Sequence, residues 1–221
     1  MVQIKQYLPR LIEQLNKEFS SRLVYIGLQG SYLREEATAS SDIDIMVVLE
    51  DLTVSDLDHY RTVLQSVGNF EKSCGFICSR TDLANWNPLE IHHLLHNTKD
   101  YFGKLSELVP AYTEEDIRSF VKLSLNNLYH DLCHRYIHAD PKKNASQLPG
   151  SYKSVFFILQ NLYFLKSRTH INAKSELLPL LGEPDRIVLE RAIALSSGDT
   201  YDFHDSFTLL FGWCQETLTS V

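Results

Sequence analysis

At 221 residues and 44% apolar content, the chain is long enough to bury one large core or two modest ones. It has no run of eighteen apolar residues, and its amino-terminal MVQIKQYLPRLIEQL has no unbroken apolar segment before a cleavage site, so neither a membrane span nor a secretory signal is expected and the protein reads as cytoplasmic. A formal charge of −7 with scattered Lys and Arg argues against a surface built for a nucleic-acid backbone and is compatible with a cationic small-molecule partner.

The chain begins with an amphipathic helix in which Ile4, Leu8, Leu11, Ile12, Leu15 and Phe19 recur at three- and four-residue steps, with Pro9 in or near its first turn. RLVYIGLQ is a short strand ending at Gly30, YLREEATASS a polar loop or loop-plus-turn, and DIDIMVVLE a second strand with Ile43, Ile45, Val47 and Leu49 on one face. A helix with Leu57, Tyr60, Val63, Leu64 and Val67 stops at Gly68, and FEKSCGFICS reads as a third strand. Asn87, Pro88 and Glu90 form a helix start ahead of EIHHLLHNT. Thr113-Glu114-Glu115-Asp116 opens a wholly helical region: a long helix to about His138, a Pro- and Gly-marked loop ADPKKNASQLPG, an apolar helix in SYKSVFFILQNLYFLKS, and shorter helices to the end. The reading is α+β: a small mixed-sheet domain over residues 1–109 followed by an all-α helical bundle over 110–221.

Two residues in this pattern are out of keeping with an ordinary strand. Asp42 and Asp44 alternate at the head of an otherwise apolar segment, so their carboxylates project from one face, about 6 to 7 Å apart along the backbone. They repel, and a divalent cation such as Mg²⁺, which takes one or two carboxylates plus phosphate oxygens and water, resolves the repulsion. Gly30 permits close approach of backbone to a phosphate, and the Ser31 hydroxyl and amide can donate to it. Each piece alone is an ordinary turn or a solvated acidic face; the combined spacing favours chemistry.

The combination G-S-x-x-R-x-x-A-x-x-x-S-D-I-D, carried by Gly30, Ser31, Arg34, Ala37, Ser41, Asp42 and Asp44, resembles the DNA polymerase β-like nucleotidyltransferase superfamily. The helical second half is similar in layout to bacterial aminoglycoside and lincosamide nucleotidyltransferases. By resemblance, residues 1–109 are the catalytic domain and 110–221 bind substrate. Asp42 and Asp44 hold metal, usually two Mg²⁺ ions, against the triphosphate of ATP or another nucleotide. Gly30 and Ser31 grip the terminal phosphates, Arg34 steadies the loop or the nucleotide, and Lys153, at the beginning of its helix, is a candidate phosphate contact from the second domain. The implied reaction transfers a nucleoside monophosphate, AMP foremost, to a hydroxyl of a small acceptor, an aminoglycoside-like antibiotic among the candidates, releasing pyrophosphate.

The resemblance also implies a third carboxylate from a neighbouring strand, yet KSCGFICS has none. Glu71, Asp82 and Glu90 lie nearby in sequence; Glu90 is carried as a tentative catalytic residue beside its capping explanation, and Asp131 as a base from the helical half. Cys74 and Cys78 read as core cysteines. The clusters His92, His93, His96 and His130, His134, His138 read as polar lining of a cleft rather than as metal ligands. The alternatives are a nucleotidyltransferase acting on an antitoxin-like protein partner and a nucleotide-binding module with an incomplete site. No nucleic-acid or membrane partner is expected.

Overall fold

The computed structural model describes residues 2–221, which divide at Tyr112/Thr113 into two compact units. The first runs α1 (Ile4–Phe19), β1 (Leu23–Leu28), α2 (Gly30–Leu33), β2 (Ile43–Leu49), α3 (Val54–Val67), β3 (Ser73–Ser79), α4 (Arg80–Ala84), α5 (Pro88–His96) and β4 (Lys99–Phe102). The second is helical: α6 (Glu114–His138), α7 (Pro141–Ser167), α8 (Lys174–Leu177), α9 (Asp185–Ser196) and α10 (Phe203–Ser220).

The four strands form one mixed sheet in the order β3-β2-β1-β4. β1 pairs antiparallel with β2 and with β4, whereas β2 and β3 run parallel, with Ile43 opposite Ser73 and Asp44 opposite Cys74. The period-two alternation of β2 sorts its side chains between two cores. Ile43, Ile45, Val47 and Leu49 pack with Leu8, Leu11 and Leu15 of α1 and Val63 and Val67 of α3. Met46 and Val48 face the other way, into Tyr25, Cys78, Leu83, Leu94 and Leu105. Each such aliphatic side chain withdrawn from water contributes about 1.5–3 kcal/mol, enough to fix the strand's register, since a slip by one residue would exchange the two faces.

Polar bonds secure the edges of this unit. Arg22 donates from both terminal nitrogens to Asp56, at 3.0 and 2.7 Å, while Asp56 closes a reciprocal capping box with Thr53 at the start of α3. Tyr25 donates to Asp100 at 2.6 Å across the β1–β4 pair.

Several elements differ from the sequence expectation. β4 is absent from that reading because Lys99-Asp100-Tyr101-Phe102 lacks apolar alternation; it is an edge strand held by backbone pairing to β1. Residues 30–33 form a single helical turn at the head of the polar loop, and, beyond the sequence expectation, Ser79 with Asp82 builds a capping box for α4, which makes Asp82 a helix-start residue. Pro9 falls in the second turn of α1.

In the helical unit, Val121, Leu125, Leu128 and Leu132 of α6 line up at helical spacing against Val155, Phe156, Leu159 and Leu162 of α7, with Leu210 and Trp213 of α10 completing the core. The Trp213 indole donates to Asp185 at 2.9 Å and the Tyr152 hydroxyl to the Ser206 carbonyl at 2.7 Å. ADPKKNASQLPG is not a loop. α7 starts at Pro141, with the Asp140 carboxylate accepting from the Lys142 and Lys143 amides, and continues through Pro149. Proline deprives the carbonyl four residues earlier, at Ala145, of its helical donor; the Tyr201 hydroxyl donates to that carbonyl instead, which is why the helix survives its proline. Among the described residues, no helix is long and apolar enough to cross a membrane.

Candidate active site

The site is built where β1 ends and β2 begins. The Gln29 amide donates to the Asp44 carbonyl at 2.9 Å, so the chain leaving β1 is tied to the head of β2 before it turns into α2. Gly30 makes that turn at φ +69°, a conformation costly for a residue with a Cβ, and sits directly on the Asp44 carboxylate: a Cβ there would lie 1.9 Å from Oδ2. Ser31 and Tyr32 follow in a turn whose leading amides have no helical carbonyl partner. The bend and the carboxylate therefore share one place.

Asp42 is exposed just ahead of β2, and Asp44 is half-buried within it, one residue beyond the buried Ile43. Burial raises the Asp44 pKa first; the Cys74 thiol, which hydrogen-bonds the carboxylate, pulls it down; the negative Asp42 raises it; and Arg34 lowers it, the balance being upward. Asp44 is thus a carboxylate short of positive charge, with a second carboxylate, Asp42, near enough to act on it. Two hard oxygen donors of this kind beside an open backbone bend suit a hard divalent cation that shares its remaining positions with phosphate and water. No three or more His, Cys, Asp or Glu converge as a finished cation cage among the described residues.

The connection between bend and strand is an ordered loop. Arg34, largely buried, places its Nε 3.3 Å from Glu36 while its charge acts on Asp44. The Ser41 hydroxyl accepts from the Thr38 amide at 2.9 Å, closing the turn that leads into Asp42, and Lys72 at the approach to β3 donates to the Ala39 carbonyl. Arg34 also reaches a group that the sequence reading set aside. His93 is pushed down to about 4, by burial first and then by the Arg34 charge, and is therefore neutral at physiological pH. His92, at 1% exposure, is likewise pushed down to about 4 by burial and by His96 and His93, and its Nδ1 lies 3.2 Å from the Tyr112 hydroxyl. It is a core histidine, not a cleft-lining one. His130, His134 and His138 form an exposed ladder on α6, with ring centroids 6.1 and 4.9 Å apart.

The other candidate residues are engaged elsewhere. The Trp86 indole donates to the exposed Glu90 carboxylate at 2.6 Å, and Asn87 caps α5 by accepting from the Leu89 amide. Asp131 pairs with Arg135 at 2.7 Å. Lys153 is exposed in the middle of α7 rather than at a helix start, because the helix begins at Pro141. A cavity of about 530 Å³ in the helical unit is lined by Arg118, Lys166, Glu183, Asp185 and Glu216 among others, and includes none of the predicted site residues.

Cys74 is the residue the sequence reading misplaced. It is exposed, not core, while Cys78 on the same strand is buried beside Leu83. The Gly75 amide lowers the thiol pKa, but burial and the negative Asp44 and Asp42 together carry it upward. The signal was positional: Asp44 and Cys74 are both second residues of parallel strands in register.

Residues 8–101 match the nucleotidyltransferase domain family model. Among solved structures, the spectinomycin adenyltransferase AAD(9) from Enterococcus faecialis, crystallised with ATP and spectinomycin, superposes with a TM-score of 0.61 at 16% identity, covering 97% of this chain and 99% of that one. No curated protein sequence matches the chain.

Proposed function

We propose that the chain is a nucleotidyltransferase that transfers AMP from ATP to a hydroxyl of a small, cationic, aminoglycoside-like acceptor in the cytoplasm, a reading supported by the match of its first unit to the nucleotidyltransferase domain and by its likeness in fold to an adenyltransferase over nearly its whole length. The observation that carries this reading is the seating of the Gly30 bend on the Asp44 carboxylate, with the negative Asp42 close enough to raise the Asp44 pKa. In it, Asp42 and Asp44 hold Mg²⁺, two ions when the site is loaded. When bound, the metal offsets charge on the triphosphate and favours ionisation of the acceptor hydroxyl.

The chain's own groups do the rest. Ser31 and the leading amides of α2 receive the terminal phosphates, and Gly30 leaves room for their approach. Arg34 tempers the negative field at Asp44 and orders the loop through Glu36. The acceptor oxygen attacks the α-phosphorus in line and pyrophosphate leaves. Glu90 serves as base only if it gives up the Trp86 indole, and Lys153 is the helical unit's candidate for the phosphates. The helical unit binds the acceptor, a role the solved relative's complex with spectinomycin supports by analogy of fold.

The test is pyrophosphate release from ATP and Mg²⁺ over a panel of aminoglycosides, spectinomycin, lincosamides and candidate protein acceptors. Asp42→Asn and Asp44→Asn should each lower turnover on the order of 10³-fold or more, the scale on which charge-stabilising groups act in phosphoryl transfer, with the circular dichroism melt unchanged. Undiminished release in either variant rejects the assignment.

A further inference from the structure

The bend that seats Gly30 on Asp44 is held from a second side. β1 and β4 pair with Gly27 opposite Asp100 and Leu28 opposite Lys99, so the next residues outward, Gln29 and Thr98, meet just beyond the paired strands. The Gln29 side-chain amide donates to the Thr98 hydroxyl at 2.8 Å, and that hydroxyl donates to the Leu94 carbonyl of α5 at 2.6 Å. A hydroxyl carries a single proton. Because Leu94 takes it, Thr98 can only accept from Gln29, which fixes the Gln29 amide with its nitrogen toward α5. Both side chains are half-buried, so water competes less for either bond. Room for the contact is made at Gly27, where a Cβ would lie 2.5 Å from the Thr98 methyl carbon and push Thr98 off its partner.

The main-chain amide of the same Gln29 donates to the Asp44 carbonyl at 2.9 Å. One residue ahead of the bend, the chain is thus tied to β2 by its backbone and to α5 by its side chain. We propose that Gln29 and Thr98 are positioning residues for the triphosphate: the chain of hydrogen bonds from Leu94 through Thr98 to Gln29 sets the bend at the height over Asp44 at which Ser31 meets the terminal phosphates. The inference rests on the proposed reading of Gly30, Ser31 and Asp44 as the phosphate and cation grip. With the side-chain tie cut, Gln29 keeps only its backbone bond and the bend swings about it. The two apolar cores on either face of the sheet include neither Gln29 nor Thr98 and stay as they are.

The test reads nucleotide binding by the full chain and so needs no acceptor. An ATP analogue with a methylene bridge between the α- and β-phosphorus is titrated calorimetrically with Mg²⁺, AMP is titrated alongside, and the ratio of the two dissociation constants is compared. Thr98→Val keeps the side chain's shape and removes its hydroxyl. It should weaken the ATP analogue roughly ten-fold, the scale of one hydrogen bond lost from a sheltered pair, while AMP binding and the thermal melt change little. Thr98→Ser keeps the hydroxyl and should restore the parent ratio. Gln29→Met, which keeps the length and removes the donor without touching α5, should match Thr98→Val, and the double variant should be no worse than either single, since all three break one chain of bonds. A parent-like ratio in both Thr98→Val and Gln29→Met overturns the inference, as does an equal loss for AMP or in Thr98→Ser, which would mark a merely structural role. Ser31→Ala and Asp44→Asn separate the two readings: if they weaken the ATP analogue while Thr98→Val and Gln29→Met do not, the phosphate grip stands and this inference falls. If Ser31→Ala and Asp44→Asn bind it like the parent, the grip falls and this inference with it.

Discussion

In the first unit, polar side chains are held by partners from distant parts of the chain: Arg22 by Asp56, Tyr25 by Asp100, Gln29 by Thr98 and Asp44 by Cys74. In the helical unit, bonds one turn away along a helix, such as Thr217 to the Trp213 carbonyl, Asn161 to the Phe157 carbonyl and Arg135 to Asp131, stand beside a few that cross between helices, such as Tyr152 to Ser206 and Trp213 to Asp185. The contrast follows from architecture. A sheet brings remote residues side by side at strand ends and can fix a constellation of charges there, whereas a helix offers neighbours three and four residues away and relies on its apolar stripe for tertiary order. The chemistry we propose accordingly falls where β1, β2 and β3 meet, and the helical unit is organised by its core.

The largest effect that would sharpen this contrast is a cavity in the helical core. Phe156→Ala should cost about 3–5 kcal/mol and strip amide protection from α6, α7 and α10 in hydrogen exchange; equal loss of protection in β1 and β2 would break the distinction between the units. Gly30→Ala tests the first unit at one point. Its Cβ would strike Asp44 Oδ2 in an unfavourable backbone region, so turnover should fall on the order of 10²-fold while the global melt shifts little, as strain at a turn costs only about 1–3 kcal/mol. A variant with full turnover would show that the bend and the carboxylate do not act together.

A smaller effect is expected at Asp56, whose pKa is held well below the usual carboxylate range, chiefly by Arg22 and then by the Thr53 hydroxyl. A carboxylate depressed in the folded state stabilises it above its unfolded pKa, about 3.9, and loses that contribution as the pH falls through the folded value. Asp56→Asn, which also weakens the capping box, should therefore cost about 0.5–2 kcal/mol at neutral pH, with the gap to the parent narrowing below roughly pH 4 in urea titrations. A gap that widens on acidification would contradict the pairing. The smallest effect concerns the helical unit's repaired proline. Tyr201→Phe should destabilise by about 0.5–1.5 kcal/mol through loss of the donor to the Ala145 carbonyl, and Pro149→Ala in the same chain should reduce that penalty by restoring the helical amide.

The alternation Ile43, Ile45, Val47, Leu49 determined the core face of β2, and the same arithmetic put Asp44 on the opposite face; both follow from the strand's two-residue period. Capping chemistry marked the starts of α5 and α6 because Asn87 and Thr113 bond to amides two and three residues away. Local signals failed where a distant partner decided the outcome. Pro149 and Gly150 read as loop, but the segment is helical, its start capped by Asp140 and the Ala145 carbonyl that Pro149 leaves free answered by a hydroxyl 56 residues away. β4 has no pattern of its own and exists because β1 offers it a backbone edge. Cys74 looked like a core residue of an isolated strand; its place beside Asp44 depends on the parallel register of β2 with β3, and no residue-by-residue property of either strand encodes which neighbour it will meet.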